Sequence, residues 1–215
     1  MALANAAAPR LAARGGRGLF LSFSVYTECA MSPAALKMRY CDLVALPEDG
    51  KRHEILDGEH YVSASPSLRH QAVVRNLSLA IWSFVREHRL GEVVFAPFDI
   101  WLSDHDVVEP DLLFVRRERL ASIEERFLRG APDLAVEVLS PSTRRVDLGV
   151  KLRAYRKFGF GEYWIVDPVE EAIAVFRGEG DWTEPVIRLS RAGGPQALTS
   201  PLFPGFVLTL DQIFE

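Results

Sequence analysis

The residues best suited to chemistry in this 215-residue chain are carboxylates set into apolar segments. Asp111 lies in VVEPDLLFV and Glu137 in DLAVEVLS. A charge within a buried strand is costly unless it is paired or bound to a metal. Glu137 is the stronger case, because its neighbours on both sides are aliphatic. Asp111 follows a proline at a strand start, so an exposed strand-end charge is an open reading for it. A simple salt bridge is open for both. The segment after Glu137 adds a cation: Lys151 and Tyr155 are four apart and share a helix face, with Asp147 one turn before Lys151. Lys151 reads either as a solvated partner of Asp147 or as a lysine returning over the strand end that carries Glu137. Two carboxylates can hold a hard divalent cation such as magnesium. Such a cation activates water and offsets charge on a phosphate, and a lysine can position the water or the developing anion.

Other arrangements are weaker. No G-x-S-x-G elbow surrounds Ser140, and neither a phosphate-loop nor a dinucleotide fingerprint occurs. His53, His60, His70, His88 and His105 make no H-E-x-x-H zinc pattern. His70 opens a long helical segment, where a first-turn surface position is the plain reading. Arg144 and Arg145 could meet phosphate at a helix start, or form an exposed charged turn. Cys29 and Cys41 are too few for a disulfide framework and lack CxxC spacing, which argues against structural zinc.

The elements that must position these groups can be read from periodicity. Tyr40 to Leu46 has helical spacing. HEIL, then Asp57-Gly58, then EHYVSA reads as a hairpin over 53–64. Ser65-Pro66-Ser67 can cap a helix over 68–89, with Val73, Leu77, Ile81, Phe84 and His88 recurring and Gly91 as its stop. Glu92 to Leu102 and Val107 to Val115 read as strands, with Pro97 marking an edge or bulge. Arg117 to Leu128 reads as a short helical link. Leu134 to Leu139 has the near-continuous apolar run of a strand buried on both faces. A helix over about 145–158, strands over 162–166 and 172–176, and short strands and turns complete the order. The pattern predicts an α/β (α+β) fold with a central mixed sheet flanked by helices.

Residues 40–170 resemble the Uma-two family of proposed endonucleases, a branch of the PD-(D/E)XK, restriction-endonuclease-like superfamily. The matching stretches are LPEDGKRHEILDGE, SPSLRHQAVVRNL, FAPFDIWL, VVEPDLLFV, APDLAVEVLSPSTRRVDLGVKLRAYRKFG and EYWIVDP. The resemblance implies a restriction-endonuclease-like core with an added N-terminal hairpin, a divalent metal (Mg2+ or Mn2+) and phosphodiester hydrolysis. By motif, Pro110-Asp111 is the PD pair and Glu137 the (D/E) position. The XK lysine should stand two residues after Glu137, but Leu139 is there. Lys151 is its natural replacement, as in family members whose lysine has migrated. The Val138 carbonyl would join Asp111 and Glu137 as metal ligands. Glu54, His70 and Asp99 fall in matching stretches and, with Tyr155, are candidates for lining the same cleft.

Composition sets the remaining expectations. At 48% hydrophobic and 25% charged the chain is close to an average globular protein, and no apolar run nears the roughly 18–20 residues that span a membrane. The net charge of −4 weighs against a general nucleic-acid coat. That charge is uneven: residues 1–37 carry four cations and one anion, against 21 cations and 28 anions in the rest. Residues 1–37 fit a signal or transit peptide poorly. They read as a disordered extension, or as a start assigned ahead of Met31 or Met38. Residues 38–215 read as one nuclease-like domain. The expected activity is Mg-dependent cleavage of DNA by a cytoplasmic homodimer, with no membrane partner. The alternative is a nuclease fold kept as a non-catalytic nucleic-acid-binding or dimeric interaction module, motivated by the displaced lysine and the acidic body.

Overall fold

The computed structural model describes residues 37–178, 181–194 and 196–215. The extension expected over residues 1–37 lies outside the described residues, apart from Lys37. From the N-terminal side the elements are α1 (Tyr40–Val44), β1 (Arg52–Leu56), β2 (Glu59–Ser63), α2 (Leu68–His88), β3 (Gly91–Phe95), β4 (Asp99–Ser103), β5 (Asp106–Val108) and β6 (Leu112–Arg116). After a 3-10 turn at Arg117–Ser122 come β7 (Phe127–Arg129) and β8 (Leu134–Val138). Wide π-type turns at Val146–Lys151 lead into α3 (Leu152–Lys157). Strands β9 (Glu162–Asp167), β10 (Ala172–Arg177), β11 (Ile187–Ser190), β12 (Ala197–Leu198) and β13 (Leu208–Thr209) then precede α4 (Leu210–Phe214).

The expected mixed α/β architecture is present, with the strands in two main sheets. One has the order β2-β1-β5-β4-β7, the other β11-β10-β9-β8-β6-β3, and β12 pairs with β13. The two long strands read from sequence are each cut in two. Pro97 separates β3 from β4 and Pro110 separates β5 from β6, and in both cases the halves join different sheets. Proline has no N–H to give a ladder, so each one marks the place where the chain leaves one sheet for the other. The expected hairpin is present as β1 and β2, and β1 carries it into the five-stranded sheet beside β5. Its turn residues Asp57 and Gly58 both have positive φ, 51° and 78°, as a type I′ turn requires. The helical link expected over 117–128 instead ends in β7, which pairs parallel with β4.

Alternation along the six-stranded sheet explains where the site falls. Leu112, Phe114, Val136, Val138, Trp164 and Val166 face a cluster that includes Val73, Leu77, Ile81 and Val85 of α2. The intervening Leu113, Val115, Ala135, Tyr163 and Ile165 face a second cluster with Leu56, Ile100 and Val108 of the other sheet and Tyr155 of α3. The sheet is therefore buried on both faces, which is why β8 and β9 read as near-continuous apolar runs. Asp111 shares the parity of Leu113, and Glu137 that of Ala135, so both carboxylates fall on the second face.

Helix α2 buries one residue per turn, each contributing about 1.5–3 kcal/mol. Its last buried position is Val85; Phe84 is half-buried and His88 exposed, stacked on Phe84. The helix stops at Arg89, left-handed at φ 55°, and not at Gly91. Gly91 opens β3, where a Cβ would sit 2.0 Å from the Val115 carbonyl. Among the described residues no helix is long and apolar enough to cross a membrane.

Candidate active site

Strands β6 and β8 are antiparallel neighbours, with Leu112 opposite Val136. One step further, that register sets Asp111 opposite Glu137. Directly opposed residues on one face have Cβ atoms about 4.5–5.5 Å apart. The Val138 N–H ties the strands together here by donating to Asp111 Oδ2 at 2.8 Å. Asp111, Glu137 and Val138 line one open cleft of about 400 Å³, together with Lys51, Arg52, His70, Glu109, Thr143 and Lys151.

Lys151 reaches the site from the turn before α3. Its Nζ lies 2.8 Å from Glu137 Oε1, 2.8 Å from Glu54 Oε1 and 3.6 Å from Asp147 Oδ1. The side chain is 2% exposed, so the solvated reading does not hold. Tyr155, four residues on, donates to the same Glu137 Oε1 at 3.0 Å. Both bonds arrive at Oε1. Glu54 is held on β1 and also accepts the Glu109 N–H at 2.7 Å. Glu54 and Tyr155 thus stand behind the cleft and fix Lys151 and Glu137, rather than lining it themselves.

His70 is buried, contrary to the surface reading. Ser67 caps α2 by accepting the His70 N–H at 3.2 Å. That sets the imidazole in the first turn, with Nε2 3.3 Å from Asp111 Oδ2. On the other side, Arg52 donates from Nη1 to Asp111 Oδ1 at 3.0 Å. It also pairs through Nε with Glu109 Oε1 at 2.8 Å and bonds the Glu109 carbonyl at 3.2 Å.

These contacts set the protonation of the site. Burial pushes the Asp111 carboxyl up, but the His70 hydrogen bond, the Arg52 charge and the Val138 N–H outweigh it and hold the group below the usual range. Burial pushes Glu137 well up, with Lys151 acting against it. Burial also works against the Lys151 charge, yet Glu137, Glu54 and Asp147 outweigh it and keep the ammonium protonated. Three carboxyl groups share the one ammonium. Asp147 is buried, with Oδ1 3.6 Å from Lys151 Nζ. Burial raises its carboxyl, against the Lys151 charge and a Thr143 hydrogen bond.

Three expected site residues lie elsewhere. Asp99 is on β4 in the other sheet and does not line the cleft; burial, opposed by a hydrogen bond from Tyr40, lifts its carboxyl to about 6. Arg144 pairs with Asp167. Arg145 is exposed, outside the residues that line the cleft. Conversely, Arg52 and Glu109 belong to the site and were not singled out. The signal for Arg52 was its place two residues before Glu54 on β1, which puts both on one face of the strand. Glu109 stands two before Asp111 across Pro110.

The donor set suits a hard divalent cation: two carboxylates and a backbone carbonyl, all oxygen. Among the described residues no three His, Cys, Asp or Glu side chains form a ready cage. Magnesium commonly takes only one or two carboxylates and completes its shell with water and substrate oxygens.

Residues 40–211 match the Uma2 family, described as "Putative restriction endonuclease". The chain belongs to this family. A crystal structure from Anabaena variabilis, of "a putative nuclease belonging to DUF820", superposes with a TM-score of 0.69 at 19% identity, over 82% of this chain and 97% of that one. That likeness establishes the shared fold. No curated protein matches the sequence. The Uma2 match takes in both sheets and every residue of the cleft.

Proposed function

We propose that this Uma2 protein is a divalent-metal-dependent nuclease that hydrolyses phosphodiester bonds in DNA. The observation that carries the reading is the meeting of Asp111, Glu137 and Lys151 in one cleft, although the lysine comes from a different element than the motif prescribes. Asp111, Glu137 and the Val138 carbonyl would hold Mg2+ or Mn2+. When bound, that ion lowers the pKa of a coordinated water and offsets charge on the phosphate. Tyr155 and Lys151 fix the Glu137 carboxylate, and the Val138 N–H and His70 fix that of Asp111. The protonated Lys151 is placed to orient an attacking water and to stabilise the anion that develops on a phosphate oxygen. Lys51 and Arg52 give the cleft wall positive charge toward a phosphate backbone.

The non-catalytic reading rests on the displaced lysine and the acidic body, and the contact of Lys151 with Glu137 supports the nuclease reading over it. Calorimetric titration of Mn2+ into the protein separates the two. The nuclease reading expects one saturable site that Glu137→Gln weakens at least about tenfold, the loss of one charged ligand. DNA binding with no metal site in the wild type would favour the binding module.

A further inference from the structure

Every strong acceptor position of Asp111 that faces a donor is taken by the protein itself. Oδ2 accepts the Val138 N–H at 2.8 Å and lies 3.3 Å from His70 Nε2. Oδ1 accepts Arg52 Nη1 at 3.0 Å. The two kinds of donor differ. The Val138 N–H is fixed in the backbone of a buried strand. Arg52 is a long side chain, 24% exposed, at the cleft wall. It has a second anchor that does not involve Asp111, since Nε pairs with Glu109 Oε1 at 2.8 Å.

On the metal reading above, we propose that Arg52 is a resident counter-ion that holds the place of the divalent cation at Asp111 and must give up Oδ1 before a metal can use it. Without a metal, the buried Asp111 carboxylate needs a counter-charge, and the guanidinium supplies it. The salt bridge to Glu109 lets Arg52 leave Asp111 without leaving the cleft. Its Nη groups then turn to the solvent side, where a planar fork of donors matches a phosphate. Metal binding is therefore an exchange of one cation for another, and the metal's affinity is reduced by the free energy of the Arg52 contact.

The test is Mn2+ titration by calorimetry on the full chain, with melting curves in chelator and in saturating Mn2+, for wild type, Arg52→Gln and Arg52→Lys. Arg52→Gln removes the competing charge and keeps hydrogen-bonding capacity. It is expected to bind Mn2+ about tenfold more tightly than wild type, or better, the scale of one charge-assisted hydrogen bond. It is also expected to melt lower than wild type in chelator, with the gap closing in Mn2+. Arg52→Lys, which keeps the charge but not the fork, should fall between the two. It also carries the test if the glutamine variant does not fold. If wild type binds Mn2+ and both variants bind it equally or more weakly, the proposal is overturned and the metal site stands. If neither wild type nor variants bind Mn2+, the proposal and the metal reading fall together.

Discussion

Lys151 Nζ lies 2.8 Å from Glu137 Oε1, although the two residues stand fourteen apart, on the turn before a helix and on a strand. The position two after Glu137, on the same strand face, holds Leu139, which is 6% exposed and packed in the cluster between the sheets. The cation beside Glu137 thus comes from the turn before α3 and not from the strand. Wide π-type turns over Val146–Lys151 deliver it, a backbone irregularity common at functional sites.

Lys151→Met should therefore act on two readouts at once. DNA cleavage should fall by about 10²–10⁴-fold, the range for a positioned proton-bearing group. Stability should fall by about 3–5 kcal/mol, because Glu137, Glu54 and Asp147 lose their shared buried cation. Denaturant unfolding and a nicking assay measure the two losses. A variant of wild-type stability and activity would show that Lys151 holds nothing together.

The face argument can be tested by returning the lysine to the strand. In the Lys151→Met background, Leu139→Lys points its ammonium to the face of Glu137. It is expected to recover cleavage by about tenfold over the single variant, part of what a positioned group contributes. No recovery from a folded double variant would mean that the helix supplies more than the charge.

Asp147 should be a liability once its carboxyl ionises. Its folded-state pKa is raised by burial, against Lys151. A raised acid costs nothing below its ordinary range, and its cost grows as pH rises through the folded value. Asp147→Asn should therefore melt higher than wild type at pH 8, with the gap narrowing toward pH 4. At this chain length each 1 kcal/mol corresponds to about 2–4 °C. A lower melting temperature at pH 8 would show that its charge is needed for Lys151.

Metal affinity should rise with pH. Burial pushes Glu137 up, so the carboxylate must shed a proton to become a ligand. Apparent Mn2+ affinity is expected to increase with pH over the range in which Glu137 ionises, with protons released on binding. Calorimetry in buffers of different ionisation enthalpy measures the release. An affinity flat across that range would contradict a Glu137 ligand.

Much of this site was readable because buried charge is rare. Glu137 stands out between aliphatic neighbours, and Lys151 and Tyr155 share a helix face by spacing alone. What periodicity could not show was the division of two strands between sheets, because FAPFDIWL and VVEPDLLFV are apolar on both sides of their prolines. Pro97 and Pro110 carried that information, and Pro97 was read only as an edge or bulge. Asp99 follows Pro97, at the start of β4, and does not line the cleft. Arg52 escaped notice because an arginine near a charged turn looks like surface. Its partners Glu109 and Asp111 are 57 and 59 residues away, a distance only the pairing of β1 with β5 closes.

Nicking of supercoiled plasmid by wild type, Asp111→Asn and Glu137→Gln, each in Mg2+, in Mn2+ and in chelator, tests the account most directly. It predicts metal-dependent nicking by the wild type, none in chelator, and a loss of at least about 10³-fold in both variants, as removal of a metal ligand should give. Nicking that persists in chelator, or survives in either folded variant, would contradict it.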